Sequence, residues 1–346
     1  MKISDDTLRE GLQTPGIAFT EKEKLKLASM VSAAGVKRAM VSYPPAHLSE
    51  QEVTEKIVRT KYFDEVFGLG RTLKADVDII YSTNANIALH LPFEIDRFDE
   101  IEDVIRYASR LDRIVEVALV DVIQYSGDNL TKIMRKLVES GVDVIQIPDT
   151  TGMASPKLMK QTVETIKKKF EVEVEIHCHN DLGGSVANSI SAMEAGADII
   201  DTSVLGLGER NGIADLASIN SLLKREGYRT GINESNLKEL YEYVTDLVLN
   251  KIGSEHFLNN CPVFGKNVNI STAGTHAAFS ALFDSSDFSV NVYTGKAMIN
   301  QILKNEGFTI GKKALDGLVQ RVKDRSVETG RTITRREVIE MMEGYE

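Results

Sequence analysis

Ser140-Gly141-Val142-Asp143-Val144-Ile145-Gln146-Ile147 ends one helical stretch and starts a strand, and the first two-thirds of the chain repeat that pattern. Glycine suits the position because a helix commonly stops on a residue in the left-handed conformation, which a missing Cβ allows. The β-branched run after it is strand-like. Ala34-Gly35-Val36 and Ala195-Gly196-Ala197 repeat the phrase. Working outward from these junctions, strand candidates fall at 1–4, 39–42, 66–69, 86–90, 114–119, 142–147, 172–177 and 198–201. Helical stretches follow most of them, at about 21–34, 50–60, 97–110, 129–140, 156–169, 183–195 and 214–224. Thr20 with Glu23 and Ser49 with Glu52 have the spacing of capping boxes. Ser155-Pro156 places an N-cap before a proline at the first helical position.

Strand–helix units of this length imply parallel strands, and eight of them predict an α/β fold of the (β/α)8, or TIM-barrel, type. A doubly wound open sheet is the competitor, but it ordinarily carries a Gly-rich fingerprint after its first strand, and Gly11 alone is not one. After about residue 226 the alternation stops. The expected division is a catalytic barrel over 1–255 and a smaller, mainly helical C-terminal subdomain over 256–346.

The 346 residues carry a formal net charge of −10, and the apolar share is 42%. Such an acidic chain is not expected to bind nucleic acid or an anionic membrane, since either needs a basic patch. An anionic small-molecule substrate would need local positive charge, which draws notice to Arg9. Two cysteines, Cys178 and Cys261, make no disulfide framework. With no apolar signal core and no run of membrane-spanning length, they fit a cytoplasmic protein.

Two segments far apart carry the chemistry: Asp6-Thr7-Leu8-Arg9-Glu10-Gly11, and His177-Cys178-His179-Asn180-Asp181. On a strand alternate side chains share a face, so His177 and His179 point one way and Cys178 the other. At the C-terminal end of the seventh strand the shared direction is the barrel mouth, and Glu10, just past the first strand, stands at the same end. One carboxylate and two neutral imidazoles suit Zn²⁺, or Mn²⁺ and Mg²⁺ with more water. Arg9 would be a fixed cation beside that metal, placed to stabilise an oxyanion.

These segments resemble the metal-dependent barrel family (DRE-TIM metallolyases) of 2-isopropylmalate synthase, homocitrate synthase, citramalate synthase and 3-hydroxy-3-methylglutaryl-CoA lyase. Residues 6–13 match its first-strand motif, and 177–183 with Ala187-Asn188-Ser189 its seventh. Residues 201–213, with Glu209-Arg210-Asn211-Gly212, are similar to the eighth-strand motif of the synthase branch. The resemblance implies that Glu10, His177 and His179 hold a divalent metal and that Arg9 is the catalytic arginine. It places Gln13 at the rim of the site and makes Thr150 a donor to a 2-oxo acid carboxylate. Ala273-Gly274-Thr275-His276 is similar to a segment whose histidine reaches a neighbouring subunit's site and assists proton transfer. Glu209 is either an acid–base group or the structural partner of Arg210. The implied reaction is a Claisen-type condensation of acetyl-CoA with a 2-oxo acid in amino-acid biosynthesis. The implied assembly is a homodimer with exchanged C-terminal subdomains, ending like short synthases at Thr329–Thr334 without a regulatory domain. Carbon–carbon cleavage of the HMG-CoA lyase or aldolase type is the alternative, although Gly206–Gly212 stands where lyases carry a loop cysteine motif.

Two departures concern the acceptor. Residues 118–124 at strand five hold none of the arginine or serine with which the synthases of long 2-oxo dicarboxylates grip the distal group. His90-Leu91-Pro92-Phe93-Glu94 at strand four is also unlike the usual small-polar sequence, and His90 is either a pocket residue or a satisfied core histidine.

Overall fold

The computed structural model describes residues 1–91, 98–125, 127–254, 256, 267, 270–272 and 287–343. Eight strands, β1 (Lys2–Asp5), β2 (Arg38–Ser42), β3 (Glu65–Arg71), β4 (Asn86–His90), β5 (Val115–Ala118), β6 (Val144–Asp149), β7 (Glu173–Cys178) and β8 (Ile199–Thr202), close into one barrel. Every pair is parallel, and β1 closes the ring by pairing Ser4 with Arg38 on one side and with Asp201 on the other. The open doubly wound sheet is thereby excluded.

Helices α1 (Glu21–Ala33), α2 (Leu48–Thr60), α3 (Lys74–Ser82), α4 (Phe98–Ala108), α5 (Gly127–Glu139), α6 (Pro156–Lys169), α7 (Ser185–Glu194) and α8 (Leu216–Arg225) surround the barrel. Outward strand residues such as Val41, Ile87, Val117, Ile145 and Ile176 are fully buried against Leu27, Ile57, Ile80, Ile105 and Val163 of the helices. That layer is the main core. Inside the barrel the packing is different: Met40, Phe67 and Ala88 form a small separate apolar cluster. Arg38 lies beside it, 3.9 Å over the Phe67 ring, and binds Glu65, Glu116 and Glu175.

Two local expectations need correction. The helix α3 is missing from the sequence reading because its start has no side-chain cap, Leu73 standing in the cap position, and its Val77-Asp78-Ile79-Ile80 core reads as strand. The supposed cap at Ser49 is displaced: α2 begins at Leu48, and the His47 ring accepts the Ser49 N–H at 3.1 Å. The Thr20–Glu23 box and the Ser155 cap form as expected.

Beyond the barrel, α9 (Glu234–Ile252) packs on α1. The short strands β9 (Ile270–Ser271) and β10 (Asp287–Phe288) pair in parallel and precede helices α10 (Lys296–Asn305), α11 (Lys312–Thr329) and α12 (Arg335–Glu343). These last helices have a core of their own, built from Ile299, Ile302, Leu318, Val322 and Val338. The C-terminal part rests on the barrel of its own chain through Asp324 on His47 (2.6 Å), Lys323 on the Ala46 carbonyl (2.7 Å) and Asn291 on the Leu12 carbonyl (2.7 Å). Among the described residues, no helix is long and apolar enough to cross a membrane.

Candidate active site at the barrel mouth

The C-terminal strand ends open into a cavity of about 340 Å³ whose wall includes Arg9, Glu10, Gln13, His90, Thr150, His177 and His179. Seven of the nine expected site residues therefore share one cavity. Glu10 lies in a single helical turn that follows β1, and its backbone is fixed because Glu10 N–H donates to the Asp6 carboxylate at 3.2 Å. His177 is the penultimate residue of β7, with His179 just beyond, so their shared face follows from strand alternation. Cys178 faces the other way into the helix layer, fully buried, where burial pushes its thiol well above the ordinary range.

One oxygen of Glu10 and one ring nitrogen each of His177 and His179 lie within 4.8 Å of one another, and all three residues are buried. Nε2 of His177 stands 3.4 Å from Nε2 of His179. The opposite nitrogen, His177 Nδ1, meets Asp201 Oδ2 at 2.7 Å, with an Asp6 oxygen farther off at 3.9 Å. A carboxylate on Nδ1 holds the proton there and leaves the Nε2 lone pair facing the cavity, the usual outer support of a metal-binding histidine. These three donors fit a divalent cation. Replacing Asp201 with Asn should weaken divalent-metal affinity by about 10–100-fold, as measured by competition with a chelator, while a saturated site still takes one ion.

Arg9 donates to Asp6, to Glu10 Oε2 at 2.5 Å and to Gln13 Oε1 at 3.3 Å. Burial alone would lower its pKa, but the carboxylates of Asp6, Glu10 and Asp201 hold it above the ordinary value, so it is a permanent cation at this site. Thr150 Oγ accepts the Asp121 N–H at 2.9 Å, which leaves the hydroxyl proton to donate elsewhere.

The loop after β8 clasps Glu10 from behind. Glu209 N–H donates to Glu10 Oε1 at 2.8 Å. A Cβ at Gly208 would crowd that oxygen at 3.0 Å, and one at Gly212, at φ +75°, would lie 1.7 Å from the Gly206 carbonyl oxygen. The fully buried Glu209 carboxylate takes Thr272 N–H at 2.9 Å and Gln13 Nε2 at 3.4 Å, which places it behind the cavity wall. Arg210 forks onto Asp181 (2.7 and 2.8 Å) and onto the Thr150 carbonyl (2.7 Å), because Asp181 presents both oxygens to its planar guanidinium. That fork ties the β6 and β7 loops together. His276 lies outside the described residues.

Sequence reasoning missed Asp201 and Asp6, the carboxylates behind His177 and Arg9. It also missed Tyr43, Arg71 and Lys323, which line the far side of the cavity. Asp201 was available, since it heads the eighth-strand motif; Arg71 and Lys323 carry no motif.

The model of the HMGL-like family matches residues 1–244. The chain belongs to the HMGL-like family. It is 30% identical to the 2-isopropylmalate synthase of Methanocaldococcus jannaschii, over 99% of this chain and 71% of that protein. It is 31% identical to a homocitrate synthase of Methanopyrus kandleri, over 70% of this chain and 65% of that one. Among solved structures it is similar to the HMG-CoA lyase of Brucella melitensis. There the TM-score is 0.62 at 19% identity, over 71% of this chain and 98% of that chain. The HMGL-like barrel is thus shared with lyases, whereas the similar sequences are named synthases.

Proposed function

We propose that this HMGL-like chain is an acyltransferase of the 2-isopropylmalate and homocitrate synthase kind, which condenses acetyl-CoA with a 2-oxo acid. The convergence of Glu10, His177 and His179 beside Arg9, in a chain similar over 99% of its length to a protein named 2-isopropylmalate synthase, supports this reading most strongly. A divalent cation held by Glu10, His177 and His179 would supply Lewis-acid polarisation of the 2-oxo acid's carbonyl.

The remaining work falls to the chain's own side chains. Thr150, already accepting from Asp121, donates a hydrogen bond to the acceptor's 1-carboxylate and sets that group against the β6 end. Arg9 stabilises the negative charge that gathers on the former keto oxygen as the new bond forms. Gln13, held by Arg9 and Glu209, positions the rim. In the overall reaction the acetyl methyl group gives up a proton and attacks the keto carbon. Water then cleaves the thioester, releasing the CoA thiol and a new carboxylate. We assign the removal of that methyl proton to His276. Glu209 acts through Gln13 and Glu10, as a positioning residue. The protein is proposed to work as a homodimer.

The test is thiol release from acetyl-CoA by metal-loaded protein across a panel of 2-oxo acids. Release that requires both an oxo acid and a divalent metal supports synthesis. Cleavage of a hydroxyacyl-CoA, with no condensation for any acceptor, would instead make the chain a lyase.

A further inference from the structure

The cavity has two ends of different chemistry. Its metal-side wall comes from β1 and β7. Its far wall comes from β2, β3, β4 and the C-terminal helix α11, with Tyr43, Arg71, His90 and Lys323 as the polar groups. Arg71 ends β3 in direct register with His90 at the end of β4, so both side chains project from the same rim. Asp76 fixes the Arg71 guanidinium through Nε (2.8 Å) and Nη2 (2.9 Å), and the Tyr43 side chain, itself in the cavity wall, also lies against Arg71. Lys323 spends one proton on the Ala46 carbonyl at 2.7 Å and is held over the mouth by its neighbour Asp324 on His47.

The counter-charges at this end are already engaged. Asp76 is taken by Arg71. Glu50 stands behind the wall, taking Lys24 at 2.5 Å and the Tyr293 hydroxyl at 3.2 Å. Glu10 is the cavity's lining carboxylate among the described residues, and it belongs to the opposite end with Arg9. At this end of the cavity two cations, Arg71 and Lys323, therefore stand with one paired carboxylate, Asp76 on Arg71. Burial, and next to it the Arg71 charge, lower the Lys323 ammonium to about 8, against the opposing pull of the Glu50 carboxylate behind the wall.

We propose that Arg71 and Lys323 form a subsite for a second anionic group on the acceptor, making the substrate a 2-oxo dicarboxylate rather than an aliphatic 2-oxo monocarboxylate. This rests on the synthase reading above. It also accounts for the strand-five departure: Ala118 and Val120 line the cavity there without charge, and the grip on the distal group moves to β3 and α11. Lys323 makes α11 a specificity element, so the C-terminal segment does more than cover the barrel.

The experiment compares 2-oxoglutarate with 2-oxopentanoate, equal in chain length and different by one carboxylate, in the wild type, Lys323→Met and Arg71→Gln. The wild type should favour 2-oxoglutarate. Each variant should lower the kcat/KM ratio of dicarboxylate to monocarboxylate by at least about tenfold, the loss of one charge-assisted hydrogen bond, with the KM for acetyl-CoA unmoved. A wild-type preference for the monocarboxylate overturns the subsite and leaves the synthase reading intact. So does a variant effect confined to the acetyl-CoA KM, which would assign the two cations to a CoA phosphate. Calorimetric titration with each acid alone separates the two claims. Charge-dependent 2-oxoglutarate binding that both variants weaken upholds the subsite even if no acceptor is turned over, an outcome that would sink only the synthase reading.

Discussion

Replacing His177 with Ala should remove tightly bound divalent metal and lower kcat/KM for condensation by at least about 10³-fold, while the barrel still folds. The effect is large because His177 joins two sets of interactions. Its Nε2 faces His179 Nε2 at 3.4 Å and its Nδ1 is held by Asp201 at 2.7 Å. Alanine therefore deletes one of three donors and leaves Asp201 with no imidazole to support. The fold should survive because the ring faces the cavity, whereas the apolar layer behind β7 is built by Val174, Ile176 and Cys178. Metal content of the purified variant and its thermal unfolding, measured together, separate a lost ligand from a lost fold. A metal-replete variant with wild-type turnover would refute the assignment.

Arg38→Met should lower the unfolding free energy at neutral pH by about 3–5 kcal/mol, the largest stability loss expected of a single substitution here. Arg38 is almost wholly buried inside the barrel. Its Nη1 meets Glu65 at 2.5 Å, its Nη2 meets Glu175 at 2.6 Å, and it also binds Glu116. Methionine matches its stem and removes its charge, stranding the buried carboxylates of Glu116 and Glu175, whereas Glu65 keeps Lys2 at 3.1 Å. Burial, followed by the neighbouring Glu175, already holds Glu116 well above the ordinary carboxylate range. Without Arg38 the Glu116 carboxyl rises further. A group whose folded pKa is raised costs stability as pH climbs through that interval, so the deficit of the variant should shrink as pH falls from 7 toward 5. Denaturant unfolding at the two pH values checks both the size and the trend; a loss under 1 kcal/mol at pH 7 would contradict the account.

The same residues show where sequence reading succeeds and where it stops. The barrel was legible because glycine at the helix ends and β-branched runs recur at regular intervals, as at Gly141-Val142 and Gly196-Ala197. The convergence of Glu10, His177 and His179 was legible because the two-residue strand period puts the two histidines on one face, and position after β1 supplies Glu10. The charged interior was not. In Val172-Glu173-Val174-Glu175-Ile176-His177 the alternation of apolar and charged residues suggests a half-exposed strand. In a closed barrel, however, both faces are buried, and Glu175 pairs with an arginine 137 positions away. The far end of the cavity was equally hidden, since a strand-end arginine and a lysine on an amphipathic helix are common residues in common places. Only the docking of α11 on the segment after β2, at Ala46 and His47, makes Arg71 and Lys323 neighbours of the same volume. His47 was overlooked as a cap because an imidazole rarely takes that role, and here it does so while also binding Asp324.

Anomalous diffraction from crystals of the protein grown with Mn²⁺, collected on either side of the manganese edge, locates the cation itself. One strong peak is expected at the barrel mouth, within coordination distance of a Glu10 oxygen and of both Nε2 atoms of His177 and His179. A peak bound elsewhere, or none in protein that is catalytically active, would contradict that ligand set.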